Sequence, residues 1–177
     1  MSGFIRPLQY GTKAFLPYLK QSGDGHVINI SSIFGIIGVP TQSAYNAAKF
    51  AVRGFTESLR EELDIERSRV SATCVHPGGV KTNIARNSRM GDMGNIAPGS
   101  KEEITELFDR IARSTPEQAA NAILHAVRKN RRRVLIGNDA TILDAGQRLM
   151  PAGYQRPLEA FFRMRQGRQK MSSQSSQ

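Results

Sequence analysis

The chain has 177 residues and 39% hydrophobic content, enough for one domain with a real core and too short for two comfortable ones. Its formal net charge is +10, and its single cysteine, Cys74, excludes an internal disulfide framework and suits a reducing, cytoplasmic setting. No apolar run approaches the roughly 20 residues that cross a bilayer, and the start "MSGFIRPLQYG" lacks the layout of a secretory signal.

Taken in chain order, residues from about Tyr10 to Gln21 read as a helix, followed by a turn in "SGDG". "HVINI" is a short β-branched run, the pattern of a strand buried on both faces. Ser31 to Gln42 form a connection rich in glycine. A long helix follows from about Ser43 to Asp64, with Ala48, Val52, Phe55, Leu59 and Leu63 on one stripe. "RVSATCV" is the next strand and ends at His76-Pro77-Gly78-Gly79; Cys74 inside it reads as an inert core thiol.

Residues 87 to 100, "NSRMGDMGNIAPGS", present no periodic face and read as a loop, with "KEEITELFDRIA" helical after it. The next helix, in "STPEQAANAILHAVRKN", is punctuated by Thr115 as N-cap, Pro116 at its first position and Gln118 as capping-box partner. "RRVLIG" is a third strand, and "DATILDAGQRLM" a helix that Pro151 and Gly153 end. Residues 1–150 form the folded part and 151–177 a basic helical tail whose last residues, "MSSQSSQ", are expected to be disordered. Alternating strands and helices imply an α/β fold with a parallel sheet covered by helices. Three strands make a thin sheet of that kind, so further strands are expected beside "HVINI".

The charge is uneven. After residue 120 there are 11 Lys and Arg against 3 Asp and Glu. "RKNRRR" at Arg128 to Arg133 has the composition of a phosphate or anionic-lipid site, and the tail places Leu158, Phe161 and Phe162 among arginines. Both are read as solvated termini, with neither membrane nor nucleic acid as a partner. His26, His76 and His125 are too scattered for a metal site, and Asn29 and His76 are read as structural.

The chemistry concentrates in "SAYNAAKF". Tyr45 and Lys49 stand at i and i+4, on one helical face. Alone the pair says little, since it arises by chance in about one such chain in six. Ser32, however, ends the "VINISS" strand, and "HPGGVKT" ends the next one. Ligands of α/β sheets sit at such carboxyl ends, and glycines let them approach the backbone. A free tyrosine has a pKa of about 10, and a neighbouring ammonium favours its phenolate. Tyr45 is thereby suited to give a proton to a carbonyl oxygen or take one from an alcohol, with Ser32 bonding the same oxygen. None of these groups supplies a hydride, which points to a nicotinamide.

These segments, "GHVINISSIFGIIGVPTQSAYNAAKFAVRGFTESLREEL" and "VSATCVHPGGVKTNI", resemble the C-terminal half of a short-chain dehydrogenase/reductase. The resemblance runs from about Gly11 to Ile136. It implies a partial, doubly wound, Rossmann-like parallel sheet in residues 1–150, lacking the N-terminal dinucleotide-binding half. It also implies Tyr45 as acid/base, Ser32 as donor to the substrate oxygen, and Lys49 as the group that lowers the tyrosine pKa and bonds the nicotinamide ribose. Pro77, Gly78, Val80 and Thr82 match the loop that holds the nicotinamide end of NAD or NADP. Residues 87–100 match the substrate lid, where Met90, Met93 and Ile96 suggest an apolar alcohol or ketone. Helices 10–20 and 43–64 resemble those that pair subunits, so a homo-oligomer is expected, with Gly54 permitting close approach.

Two departures accompany the resemblance. The Gly-rich turn that would receive a pyrophosphate at a helix N-terminus is absent from the sequence, so only the nicotinamide end of the cofactor site is represented. Ungapped counting puts Phe4 where the family has a catalytic Asn and Pro7 where it has Gly. Two functions follow: a truncated oxidoreductase of this type, or a catalytically inactive remnant that associates with related subunits.

Overall fold

The computed structural model describes residues 2–82, 106, 110 and 112–174. The expected loop over residues 87–100 lies outside them, as does most of the helix expected after it. Strands β1 (Gly25–Ile30), β2 (Val70–Pro77) and β3 (Arg133–Ile136) form a parallel sheet in that order. Gly25 stands opposite Val70, and Cys74 opposite Arg133. The crossovers are α2 (Ser43–Ile65) and α3 (Pro116–Arg128). Helix α1 (Ser2–Ser22) precedes the sheet, while α4 (Asn138–Leu149) and α5 (Gln155–Gln174) follow it.

Helix α1 begins eight residues earlier than the periodicity predicts, with Pro7 inside it. Pro7, and Pro17 further on, each forfeit a helical bond and crowd the carbonyl four residues back, a cost that the packing of Leu16 and Leu19 offsets. Helix α5 runs to Gln174, so "MSSQ" is helical rather than disordered. Past Gly167, Met, Gln and Lys sustain the helix and no proline interrupts it. The capping box of α3 forms as its residues predict, with the Gln118 amide donating to the Thr115 hydroxyl and the Thr115 amide to the Gln118 side chain.

One core joins Leu59 and Leu63 of α2 to Val70 and Ala72 of β2, with Leu16 and Leu19 of α1 packed against it. The predicted stripe of α2 is therefore its buried face. A second cluster, Ile33, Ile36, Ile37 and Ala140, lies between the β1–α2 connection and α4. Strand β2 is buried on both faces, but β1 is not: Ile28 and Ile30 are 39% and 45% exposed. The reason is position. β1 is the sheet edge among the described residues, and α3 packs on β2 and β3.

Much of the basic excess is paired. Arg60 is buried and donates to both oxygens of Asp64, to the Ala72 carbonyl and to Asn130. Arg132 reaches the same Asp64, and Arg133 bridges Glu57 and Asp144. The "RKNRRR" run thus ties β3 to α2 and α4 as well as facing solvent. Among the described residues no helix is long and apolar enough to cross a membrane.

Candidate active site

The site starts from polar stitching between β1 and α2. The Asn29 amide donates to Thr56 Oγ1, which donates to the Val52 carbonyl at 2.6 Å. Two residues on, Ser31 Oγ donates to the Lys49 carbonyl at 2.8 Å. Gly35 closes the same seam, because a Cβ there would come within 2.7 Å of the Lys49 carbonyl. These contacts fix the height of α2 over the end of β1. Tyr45 and Lys49 are carried to that end on one face.

Three of the expected residues meet there. Lys49 Nζ lies 5.5 Å from the centre of the Tyr45 ring and donates to the Ile30 carbonyl at 3.1 Å. Ser32 Oγ accepts the Phe34 amide, capping a 3-10 turn at Ile33–Gly35, and interacts with the Tyr45 phenol. Phe34 meets Tyr45 edge to face, with ring centres 6.0 Å apart. Burial raises the Tyr45 pKa, and Ser32 opposes that shift. Burial also lowers the Lys49 pKa. The ammonium faces the ring and the strand end, and burial is the largest influence on the phenol.

The connection from Ser32 to α2 is held by side chains from three places. His76 Nδ1 faces the Ser32 carbonyl at 3.0 Å, Asn46 donates to the Val39 carbonyl at 2.9 Å, and the Tyr154 hydroxyl accepts the Gly38 amide at 2.9 Å. Thr41, just before α2, has φ of 68°, a strained value for a β-branched residue. His76 is fully buried and burial lowers its pKa, which fits the structural role expected of it. Cys74 is fully buried and pushed up to about 11, an inert thiol.

Pro77, Gly78, Val80 and Thr82 follow at the end of β2. Val80 bridges to Ser114, and the Gly79 amide donates to Asp139 Oδ2 at 2.6 Å. What links the two loops is His76, which faces the Ser32 carbonyl and whose strand leads into Pro77. Met90, Met93 and Ile96 lie outside the described residues. No group of three or more His, Cys, Asp or Glu able to hold a metal occurs among the described residues. Asn46, Tyr154 and Asp139 were not legible as site residues. The one available signal was the triplet of glycines 78, 79 and 137 at neighbouring strand ends.

Comparison with known proteins decides the family. A family model for short chain dehydrogenases matches residues 5–92. The Mycobacterium tuberculosis protein SadH, an oxidoreductase by name, is 52% identical over 151 residues, which cover 85% of this chain and 53% of that one. The chain belongs to the short-chain dehydrogenase/reductase family. Solved structures of this family superpose on it. A Burkholderia cenocepacia short chain dehydrogenase in complex with NADP has a TM-score of 0.63 at 25% identity, covering 83% of this chain and 52% of that one. A Burkholderia phymatum member in complex with NAD has a TM-score of 0.59 at 25% identity, covering 72% and 48%. The chain thus spans about half the length of the relatives it matches.

Proposed function

We propose that this short-chain dehydrogenase/reductase chain carries the proton-transfer machinery of an oxidoreductase acting between NAD or NADP and an apolar alcohol or ketone. The observation that carries the reading is the meeting of Tyr45, Lys49 and Ser32 at the carboxyl end of β1, with the phenol kept protonated by burial. In the reducing direction Tyr45 gives its proton to the carbonyl oxygen as that oxygen gains charge, and the Ser32 hydroxyl bonds the same oxygen. A bound nicotinamide supplies the hydride. Lys49 fits a cofactor ribose chemically, because one of its three donors is on Ile30 and the others remain for hydroxyl groups. Its charge also steadies the phenolate left behind. Pro77, Gly78, Val80 and Thr82 are assigned to the nicotinamide end. The two dinucleotide-bound family members support a nicotinamide cofactor.

The pyrophosphate and adenosine contacts are assigned to protein outside these residues. Support comes from the absence of a Gly-rich strand-to-helix turn in the sequence and from the exposed Ile28 and Ile30 on the open edge of β1. The compartment assigned is the cytoplasm, on the single, buried, reduced Cys74.

Assembly is the second reading. Tyr10, Phe15 and Tyr18 on α1 and Phe50 on α2 are exposed, and Gly54 has open space where a Cβ would stand. Gly54 does not pack on its own sheet. We assign this face to pairing with a second copy or a related subunit, and a remnant devoted to pairing alone would keep it without turnover. Tyr45→Phe separates the two. An oxidoreductase loses turnover by at least about 10²-fold with dinucleotide affinity little changed. Equal turnover of the variant and the native chain would overturn the proton-donor assignment, and pairing without any turnover would favour the remnant.

A further inference from the structure

Three glycines crowd around one carboxylate. Asp139 stands in the first turn of α4, and its Oδ2 accepts the Gly79 amide at 2.6 Å. A Cβ at Gly78 would collide with both of its oxygens, and one at Gly137 with Oδ1. Gly137 also has φ of 96°, a conformation that favours glycine. On its other side Gly79 abuts Ala112, whose Cα would lie 2.7 Å from an added Cβ. The turn after β2 is thus built around the Asp139 side chain, which occupies space that side chains at 78 and 137 would otherwise need.

The next residue faces the other half of the site. Ala140 is fully buried in the cluster with Ile33, Ile36 and Ile37, the residues that follow Ser32. Consecutive residues of α4 therefore set the turn that begins at Pro77 and the connection that carries Ser32 to Tyr45.

We propose that Asp139 is a positioning residue for the dinucleotide: by holding the Gly79 amide it sets the course of the backbone from Pro77 to Thr82 that faces the nicotinamide. This rests on the assignment of that segment under the proposed function. The carboxylate acts through the turn and makes no contact with substrate. Its oxygen, not its charge, is what the turn requires, so an amide in its place serves nearly as well.

The test measures NADH and NADPH affinity by fluorescence, and amide hydrogen exchange at Gly79, in the full 177-residue chain. Asp139→Ala is expected to weaken the better-bound dinucleotide by about tenfold and to speed exchange at Gly79 by a similar factor. Asp139→Asn is expected to restore both to within about threefold of the native chain, a rescue that generic destabilisation would not give. Should Asp139→Ala not fold, Asp139→Glu displaces the oxygens by one methylene and is expected to weaken binding in a folded chain. Native-like binding by Asp139→Ala, or by Asp139→Glu in its place, overturns the inference alone. Failure of Asp139→Asn to rescue overturns it as well. Should the native chain bind neither dinucleotide, because the pyrophosphate contacts lie outside it, exchange at Gly79 alone decides: native-like exchange in Asp139→Ala, or no rescue by Asp139→Asn, overturns the inference.

Discussion

The phenol of Tyr45 is shaped by its neighbours. Burial disfavours the phenolate and Phe34 closes one edge, which keeps the phenol protonated at neutral pH, while Ser32 works in the opposite direction. His76 supports it from below. Its Nδ1 faces a carbonyl and so carries the hydrogen, which leaves Nε2 with a lone pair and no partner. Burial lowers its pKa, so the native chain keeps it neutral while the unfolded chain protonates near the ordinary value of about 6.5. Its contribution to stability is full above that value and declines as pH falls through it towards the native pKa. His26 shifts in the same direction, again chiefly through burial. Denaturant unfolding at pH 7.5 and 5.5 is expected to give a lower midpoint at the acid pH, with a smaller difference in His76→Gln. Equal native midpoints would contradict the assignment.

At the scale of the element, α2 links stability to chemistry. Its lower half buries Leu63 almost completely, and Leu63→Ala is expected to cost about 2–5 kcal/mol by equilibrium denaturation. Its upper half carries Tyr45 and Lys49 over the Ser32 connection, whose middle is held by Tyr154. Tyr154→Phe keeps the ring but leaves the Gly38 amide without its acceptor, a loss of about 1–2 kcal/mol. It is also expected to raise the Michaelis constant for the carbonyl substrate more than the dinucleotide dissociation constant, which steady-state kinetics and fluorescence titration measure separately. Tyr45 and Lys49 were legible in the sequence because an i, i+4 spacing is local, and so was the buried stripe of α2. Asp139 and Tyr154 were not, because their partners lie 60 and 116 residues away. The exposure of Ile28 and Ile30 was equally hidden, since "HVINI" reads alike at a sheet's centre and at its edge.

At the scale of the whole molecule, two apolar surfaces stand exposed among the described residues. One is the β1 edge with Ile28 and Ile30; the other is the outer face of α1 and α2, where Tyr10, Phe15 and Tyr18 are each about two-thirds exposed. Sedimentation equilibrium is expected to find a dimer that Phe15→Glu together with Tyr18→Glu weakens by at least tenfold, on the order of the loss of two aromatic anchors. A strictly monomeric native chain would contradict the pairing assignment. The most direct test of the account follows deuterium. The native chain and Tyr45→Phe would each be mixed with NADH or NADPH deuterated at the transferable position and with a panel of apolar ketones. The account predicts deuterium on the carbinol carbon of the product with the native chain, and at least about 10²-fold less product with Tyr45→Phe. No alcohol from the native chain would favour the remnant reading, and equal product from both chains would contradict the account.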